Sequence, residues 1–285
     1  MLCSHDLIIS SFIPTLRHCK IASMTSSQPA ISNSSPGSTC TSSSLNQSYF
    51  VSNPPNEKQC YATTPERKYY KTDKWHAKRS LRPSEYCEGP YGTIVPRAGK
   101  ARIENEAASL HFISNKTDIL VPKVYGAFEL DGAYWLITEH IQGVDLAQLP
   151  KEKQGPVLTE LEGHLRTLRH LKSDTLGGPT GIIVPPYRLT HATQQDVWNL
   201  PPSSKEEFVF CHNDLSQHNV IVEPETLKIN AIIDWEYAGF YPDFFEAKFY
   251  TRPGPSDALK KYNEKSDTAK LLEFLESRHI KSQVL

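Results

Sequence analysis

The segment running from Phe210 to Glu236, FCHNDLSQHNVIVEPETLKINAIIDWE, constrains this chain more than any other. A short apolar run, Phe208–Cys211, leads into Asp214, and Asn219 follows five residues later. Two further apolar runs, Asn219–Glu223 and Ile229–Trp235, read as strands joined by a turn at Pro224–Lys228, with Asp234 closing the second. A hairpin of this length returns its ends to one mouth, so two carboxylates and one amide converge there. That set suits phosphoryl transfer from ATP. One carboxylate accepts the proton of an attacking hydroxyl, while the second carboxylate and the amide hold Mg²⁺ against the nucleotide phosphates. His212, Asp214 and His218 can also be read as imidazole and carboxylate ligands for zinc or iron, but that reading leaves Asn219 and Asp234 without a task.

Upstream, Lys68–Tyr70 and Lys74–Ser80 read as strands around the turn Lys71-Thr72-Asp73, followed by a Pro-, Gly- and Arg-rich loop over 81–100. The spacing predicts a helix over Arg102–Ser114, with Ile103, Ala107 and Leu110 forming one apolar stripe. Glu106 lies on that stripe, where a carboxylate is unfavourable unless a cation meets it. Three cations on the preceding strand compete for the role: Lys74, Lys78 and Arg79. Strand alternation turns Lys78 and Arg79 to opposite faces, so only one of those two can face a cleft. Val124–Leu130 and Ala133–His140 flank Asp131-Gly132, a strong hairpin signal. A leucine-striped helix is expected over Pro156–Lys172, an extended connection over 174–206, and a last helix over Thr268–His279. This order of elements predicts an α+β chain with a small antiparallel-sheet N-lobe of about 59–141 and a mostly helical C-lobe of about 142–285.

Composition separates a tail from this folding unit. Residues 1–58 hold 19 Ser or Thr and only five charged residues, too little apolar surface to offset the entropy of ordering, so a disordered arm is expected. The 31 Lys+Arg against 32 Asp+Glu give a net charge of −1 and no basic stripe for a phosphate backbone, which argues against nucleic acid as a partner. No apolar run has the length of a membrane span. The six cysteines are scattered without a C-x-x-C pair, which supports a reducing, cytoplasmic setting. Arg17, Lys20 and the serines around them leave a mitochondrial presequence as a secondary reading, and the apolar stretch 7–16 a secretory one.

Asp214-Leu-Ser-Gln-His-Asn219 matches the D-x-x-x-x-N of the protein-kinase catalytic loop, with His212 at the leading histidine. Asp234-Trp235-Glu236 after an Ile-Ile strand is similar instead to the aminoglycoside phosphotransferase branch of the kinase-like superfamily. The string CHNDLSQHNVIV…IIDWEYAGFYP…FE, with KRSLRPSE and NEAASLHFI, resembles the fungal-type subset of that branch over about residues 62–279. The resemblance implies a protein-kinase-like bilobal fold with a shortened C-lobe, and ATP and Mg²⁺ as cofactors. It implies Asp214 as the catalytic base, and Asn219 and Asp234 as metal ligands. It implies that Lys78 touches the nucleotide phosphates and pairs with Glu106, and that Glu139, His140 and Ile141 form the hinge whose backbone meets adenine. The implied acceptor is a hydroxyl of a small molecule. The chain departs from the kinase pattern in lacking a G-x-G-x-x-G loop at its first expected turn; Gly89 and Gly92 are alternatives that also read as an ordinary turn. A catalytically inactive, nucleotide-binding or scaffolding pseudokinase is the alternative function.

Overall fold

The computed structural model describes residues 46–190, 192–193, 195 and 198–282. The targeting readings, and the arm as far as residue 45, lie outside the described residues. In chain order the elements are α1 (Gln47–Ser52), β1 (Cys60–Thr63), β2 (Arg67–Lys71), β3 (Trp75–Ser80), β4 (Cys87–Gly89), β5 (Gly92–Ile94), α2 (Gly99–Lys116), β6 (Val124–Leu130) and β7 (Ala133–Glu139). There follow β8 (Val144–Asp145), α3 (Gln154–His170), β9 (Lys172–Ser173), α4 (Tyr187–Thr190), β10 (Phe208–Cys211), β11 (Val220–Glu223), β12 (Lys228–Ile232), β13 (Gly239–Tyr241) and α5 (Thr268–Ser282).

The first half of the chain builds a five-stranded antiparallel sheet in the order β1-β2-β3-β7-β6. Asp131 and Gly132 turn its β6–β7 hairpin with φ of 50° and 71°, the left-handed pair that matches strand twist in a two-residue loop. One face of the sheet closes over Tyr70, Trp75, Ala77, Phe128, Trp135 and Ile137. Phe50 of α1 belongs to this core, 1% exposed and edge-on to Trp75 at 5.7 Å. The arm boundary expected at residue 58 is therefore too late. One buried aromatic, with Asn46 capping the helix through Tyr49 N at 3.0 Å, anchors a stretch whose average composition is polar.

The second half is mostly helical, with two three-stranded sheets, β12-β11-β8 and β13-β10-β9. Between the halves, the chain turns at Gly143 (φ +133°), where a Cβ would stand 2.6 Å from Val222 O, so only glycine fits. Helix α3 buries Val157, Leu161, Leu165 and Leu168, while the expected stripe members Leu158 and Leu171 are half-buried. Helix α2 buries Ile103, Ala107, Leu110 and Ile113 against α3, the β11–β12 hairpin and Trp235. The architecture is thus the α+β one expected, a small sheet lobe followed by a mostly helical one. Among the described residues no helix is long and apolar enough to cross a membrane.

Local differences have local reasons. The expected loop over 81–100 contains the hairpin β4–β5, with Gly89 opposite Gly92; three-residue strands are too short for alternation to register. Strand β1 escapes the pattern for the same reason. Its presence makes Thr64-Pro65-Glu66, rather than Lys71-Thr72-Asp73, the first turn of the sheet. Short α4 interrupts the expected extended connection. Asn219 and Trp235 fall just outside the hairpin strands, in single helical turns, Gln217–Asn219 and Trp235–Tyr237.

Candidate active site

The segment from His212 to Asn219 is braced by its own histidine. Asp214 N–H donates to His212 Nδ1 at 3.3 Å, so the ring proton sits on Nε2 and is donated to Ile233 O at 2.9 Å. Burial pushes the His212 pKa down to about 4, keeping the ring neutral in that double role. His212 lies against Trp235 with ring centroids 4.6 Å apart, and Trp235 donates to Ile232 O at 2.8 Å. Glu246 accepts from the backbone N–H groups of His212 at 2.5 Å and Asn213 at 3.3 Å. Asn213 and Asp234 adopt left-handed conformations, φ 69° and 66°, which Asn and Asp tolerate better than other side chains. Asn213 Nδ2 donates to Tyr237 O at 2.8 Å, tying the loop to the turn beyond Asp234.

Asp214, Asn219 and Asp234 line one cleft, and Tyr187, Ser256 and Asp257 line it too. Asn219 Nδ2 donates to Asp214 O at 2.8 Å, which leaves its Oδ1 as the free donor atom for a cation. Burial first, and the charge of Asp234 second, push the Asp214 pKa up to about 7. Lys78 reaches this cleft from β3: its Nζ lies 2.7 Å from Asp234 Oδ1 and forms an ion pair with Glu106 Oε2 of α2. Burial alone would lower the lysine pKa, but Asp234 and Glu106 overcome it and raise it; the ammonium stays charged. Of the competing cations, Arg79 points to the opposite face, bonded to Glu85 at 2.6 and 2.7 Å and to Tyr70 Oη at 2.9 Å, and Lys74 is exposed.

The same α2 helix is joined to the Asp234 turn by residues that periodicity did not single out. Arg102 Nη2 donates to Glu236 Oε1 at 2.7 Å, and Arg67 Nη1 of β2 lies 2.5 Å from Glu236 Oε2. Asn105 Nδ2 donates to the carbonyls of Glu236 and Ala238 at 3.0 and 2.8 Å. Burial would raise the Glu236 pKa, but Arg102 and Arg67 hold it well below the ordinary carboxylate range. Glu106, Asp234 and Glu236 present ligand atoms within 4.8 Å of one another, and Lys78, Arg67 and Arg102 offset their charges.

A family model described as the phosphotransferase enzyme family (APH) matches residues 67–247, from β2 through the Asp234 turn to Ala247. The chain belongs to this family. Among curated proteins it is similar to an aminoglycoside 3'-phosphotransferase of Streptomyces ribosidificus, 26% identical over 168 residues, covering 50% of this chain and 64% of the relative. The chain thus spans less than two thirds of that relative's length. Solved structures similar to it include aminoglycoside phosphotransferase APH(3'')-Id from Streptomyces rimosus, 14% identical, covering 75% of this chain and 82% of that one, TM-score 0.46. Another is a thermostable mutant of APH(4)-Ia in a ternary complex with ADP and hygromycin B, 16% identical, covering 66% and 68%, TM-score 0.44.

In this APH-family chain the expected hinge lies where β7 leaves the sheet. Glu139 N–H and His140 N–H are taken by Lys123 O at 2.8 Å and Lys74 O at 3.2 Å; Ile141 N–H is not engaged by these two bonds. His212 and His218 do not converge as metal ligands: His212 braces the loop, and His218 Nδ1 lies 3.3 Å from Asp145 Oδ2. The first sheet turn, Thr64-Pro65-Glu66, carries no glycine, and its Glu66 accepts from Arg102 at 3.0 Å. Sequence reasoning missed Glu236, Arg102 and Arg67 as one cluster. The i, i+4 spacing of Arg102 and Glu106 was the signal available.

Proposed function

We propose that this chain transfers the γ-phosphoryl group of ATP to a hydroxyl of a small molecule, with Asp214 as the base. The observation that carries the reading is the convergence of Asp214, Asn219 and Asp234 on one cleft, with Lys78 held between Glu106 and Asp234. A base in phosphoryl transfer must accept a proton at the working pH, and an Asp214 pKa near 7 suits that task. Asn219 Oδ1 and the Asp234 carboxylate are hard oxygen donors of the kind that Mg²⁺ takes. Bound there, the ion would neutralise charge on the phosphates. Lys78 then serves as a fixed cation for the nucleotide, its position set by Glu106, and Ile141 offers a backbone donor to adenine. The names of its relatives support a hydroxyl acceptor. The scattered cysteines support a cytoplasmic setting.

A second reading, a nucleotide-binding protein without turnover, draws support from the glycine-free turn Thr64-Pro65-Glu66. Two measurements separate the readings. Mg-ATP should raise the melting temperature, because a ligand that binds only the folded state stabilises it. A phosphate-transfer screen against a metabolite library should then yield an acceptor whose labelling is lost in Asp214→Asn. A thermal shift without transfer to any acceptor, and without ADP formation, would leave the pseudokinase reading standing.

A further inference from the structure

The residues that close the cleft over Asp214 come from the segment after Tyr250, and a single arginine shapes them. Arg252, 7% exposed, donates to Pro255 O at 2.7 Å, Ser256 O at 3.1 Å and both oxygens of Glu264 at 2.9 and 2.8 Å. Its guanidinium also lies over the rings of Phe249 at 5.3 Å and Tyr262 at 4.8 Å. Gly254 makes the bend with φ +88°. The outcome is a loop whose tip, Ser256, lines the cleft together with Asp214, Asn219 and Asp234. The space that water-sized groups can occupy between these residues is about 40 Å³, room for a few waters.

A hydroxyl lining the same cleft as the base carboxylate and both candidate cation ligands stands where an acceptor hydroxyl must stand. We propose that Ser256 is a phosphorylation site of this chain's own centre: its Oγ takes the acceptor position and receives the γ-phosphoryl group of ATP within the same molecule. The inference rests on the ATP phosphotransfer reading above. In the step, a bond forms between Ser256 Oγ and the γ-phosphorus. The bond from that phosphorus to the β,γ-bridging oxygen breaks, ADP leaves with the electron pair, and the hydroxyl proton passes to Asp214. The product carries close to two negative charges at neutral pH.

The full chain is incubated with Mg-ATP alone and digested with trypsin. The peptide Phe249–Lys260 stays whole because Pro253 follows Arg252, and fragmentation mass spectrometry assigns the phosphate within it. The expected result is one phosphate on Ser256, formed at a rate per molecule independent of protein concentration, and lost in Ser256→Ala and in Asp214→Asn at unchanged melting temperature. ADP production and the Mg-ATP thermal shift are read in the same samples. A thermal shift with ADP formation but an unmodified peptide sinks the Ser256 proposal and leaves phosphotransfer standing. Neither shift nor ADP removes the phosphotransfer reading, and the proposal with it. Phosphate on Tyr250 or Thr251, or a rate that scales with protein concentration, overturns the intramolecular assignment.

Discussion

Arg102 Nη2 lies 2.7 Å from Glu236 Oε1, and both side chains are almost wholly buried, 3% and 2% exposed. The contact joins α2, which carries Glu106, to the turn that carries Asp234. Lys78 bridges the same two elements one layer away. The relative position of Glu106 and Asp234, and hence of the cation between them, is therefore set by two parallel links.

Removing the Glu236 charge leaves Arg102 and Arg67 buried without their shared partner. Breaking a buried pair from one side is strongly destabilising, so Glu236→Gln is expected to cost about 3–5 kcal/mol in a denaturant melt. The pH dependence has a definite sign. The folded-state pKa of Glu236 is depressed, so its contribution is fully present above the unfolded carboxylate value of about 4.3 and is lost as pH falls toward the folded value. Wild type should lose stability on acidification below about pH 4, and Glu236→Gln should show a shallower slope there. Equal slopes would mean that Glu236 is not held ionised by the two arginines.

Lys78→Met should lower kcat/KM by about 10²- to 10³-fold, the scale of losing one preorganised charge-stabilising group. Glu106→Gln keeps the lysine and loses only its positioning, so its loss should be smaller and expressed mainly in nucleotide KM. Steady-state kinetics with varied ATP checks the order. A Glu106→Gln loss equal to that of Lys78→Met would argue against a purely positioning role.

Asp214→Asn should keep the Mg-ATP thermal shift and lose about 10²- to 10⁴-fold in transfer rate, the usual scale of a general base. In wild type the base must be ionised. With its pKa near 7, kcat/KM should rise with pH and level off above that value. A profile flat from pH 5 to 8, at about the range where histidine and this group titrate, would count against Asp214 as the base.

Phe50→Ala should destabilise the sheet lobe by about 3–5 kcal/mol, the cost of truncating a buried aromatic. A chain starting at residue 59 should melt lower than one starting at residue 46, because the first loses α1 and the second keeps it. Identical melting temperatures would place the domain boundary after α1.

Much of the site was legible where the chemistry is local. The spacing of Asp214, Asn219 and Asp234 is set by one loop and one hairpin, and that pattern needs no distant partner. Glu106 was legible as a carboxylate on an apolar stripe, a conflict that demanded a cation. The choice of Lys78 over Lys74 and Arg79 came from the family resemblance and not from periodicity, because alternation assigns faces but not which face meets the helix. Strand β1, the β4–β5 hairpin and α1 escaped because each is too short for a period to emerge. Phe50 carries its stretch into the core by a single contact that average composition hides.

By itself, then, the sequence determined the two hairpins, the striped helices α2 and α3, and the order of acid, amide and acid that suits phosphoryl transfer. Tertiary structure alone decided the pairing of Lys78 with Asp234 across 156 residues, the clamp of Arg102 on Glu236 across 134, and the placing of Ser256 in one cleft with Asp214. The physical reason is that periodicity reports only which side of an element avoids water. Which charges then meet is decided by how the buried faces pack, since each ion taken from water must find its counter-ion wherever the closed core brings one within reach.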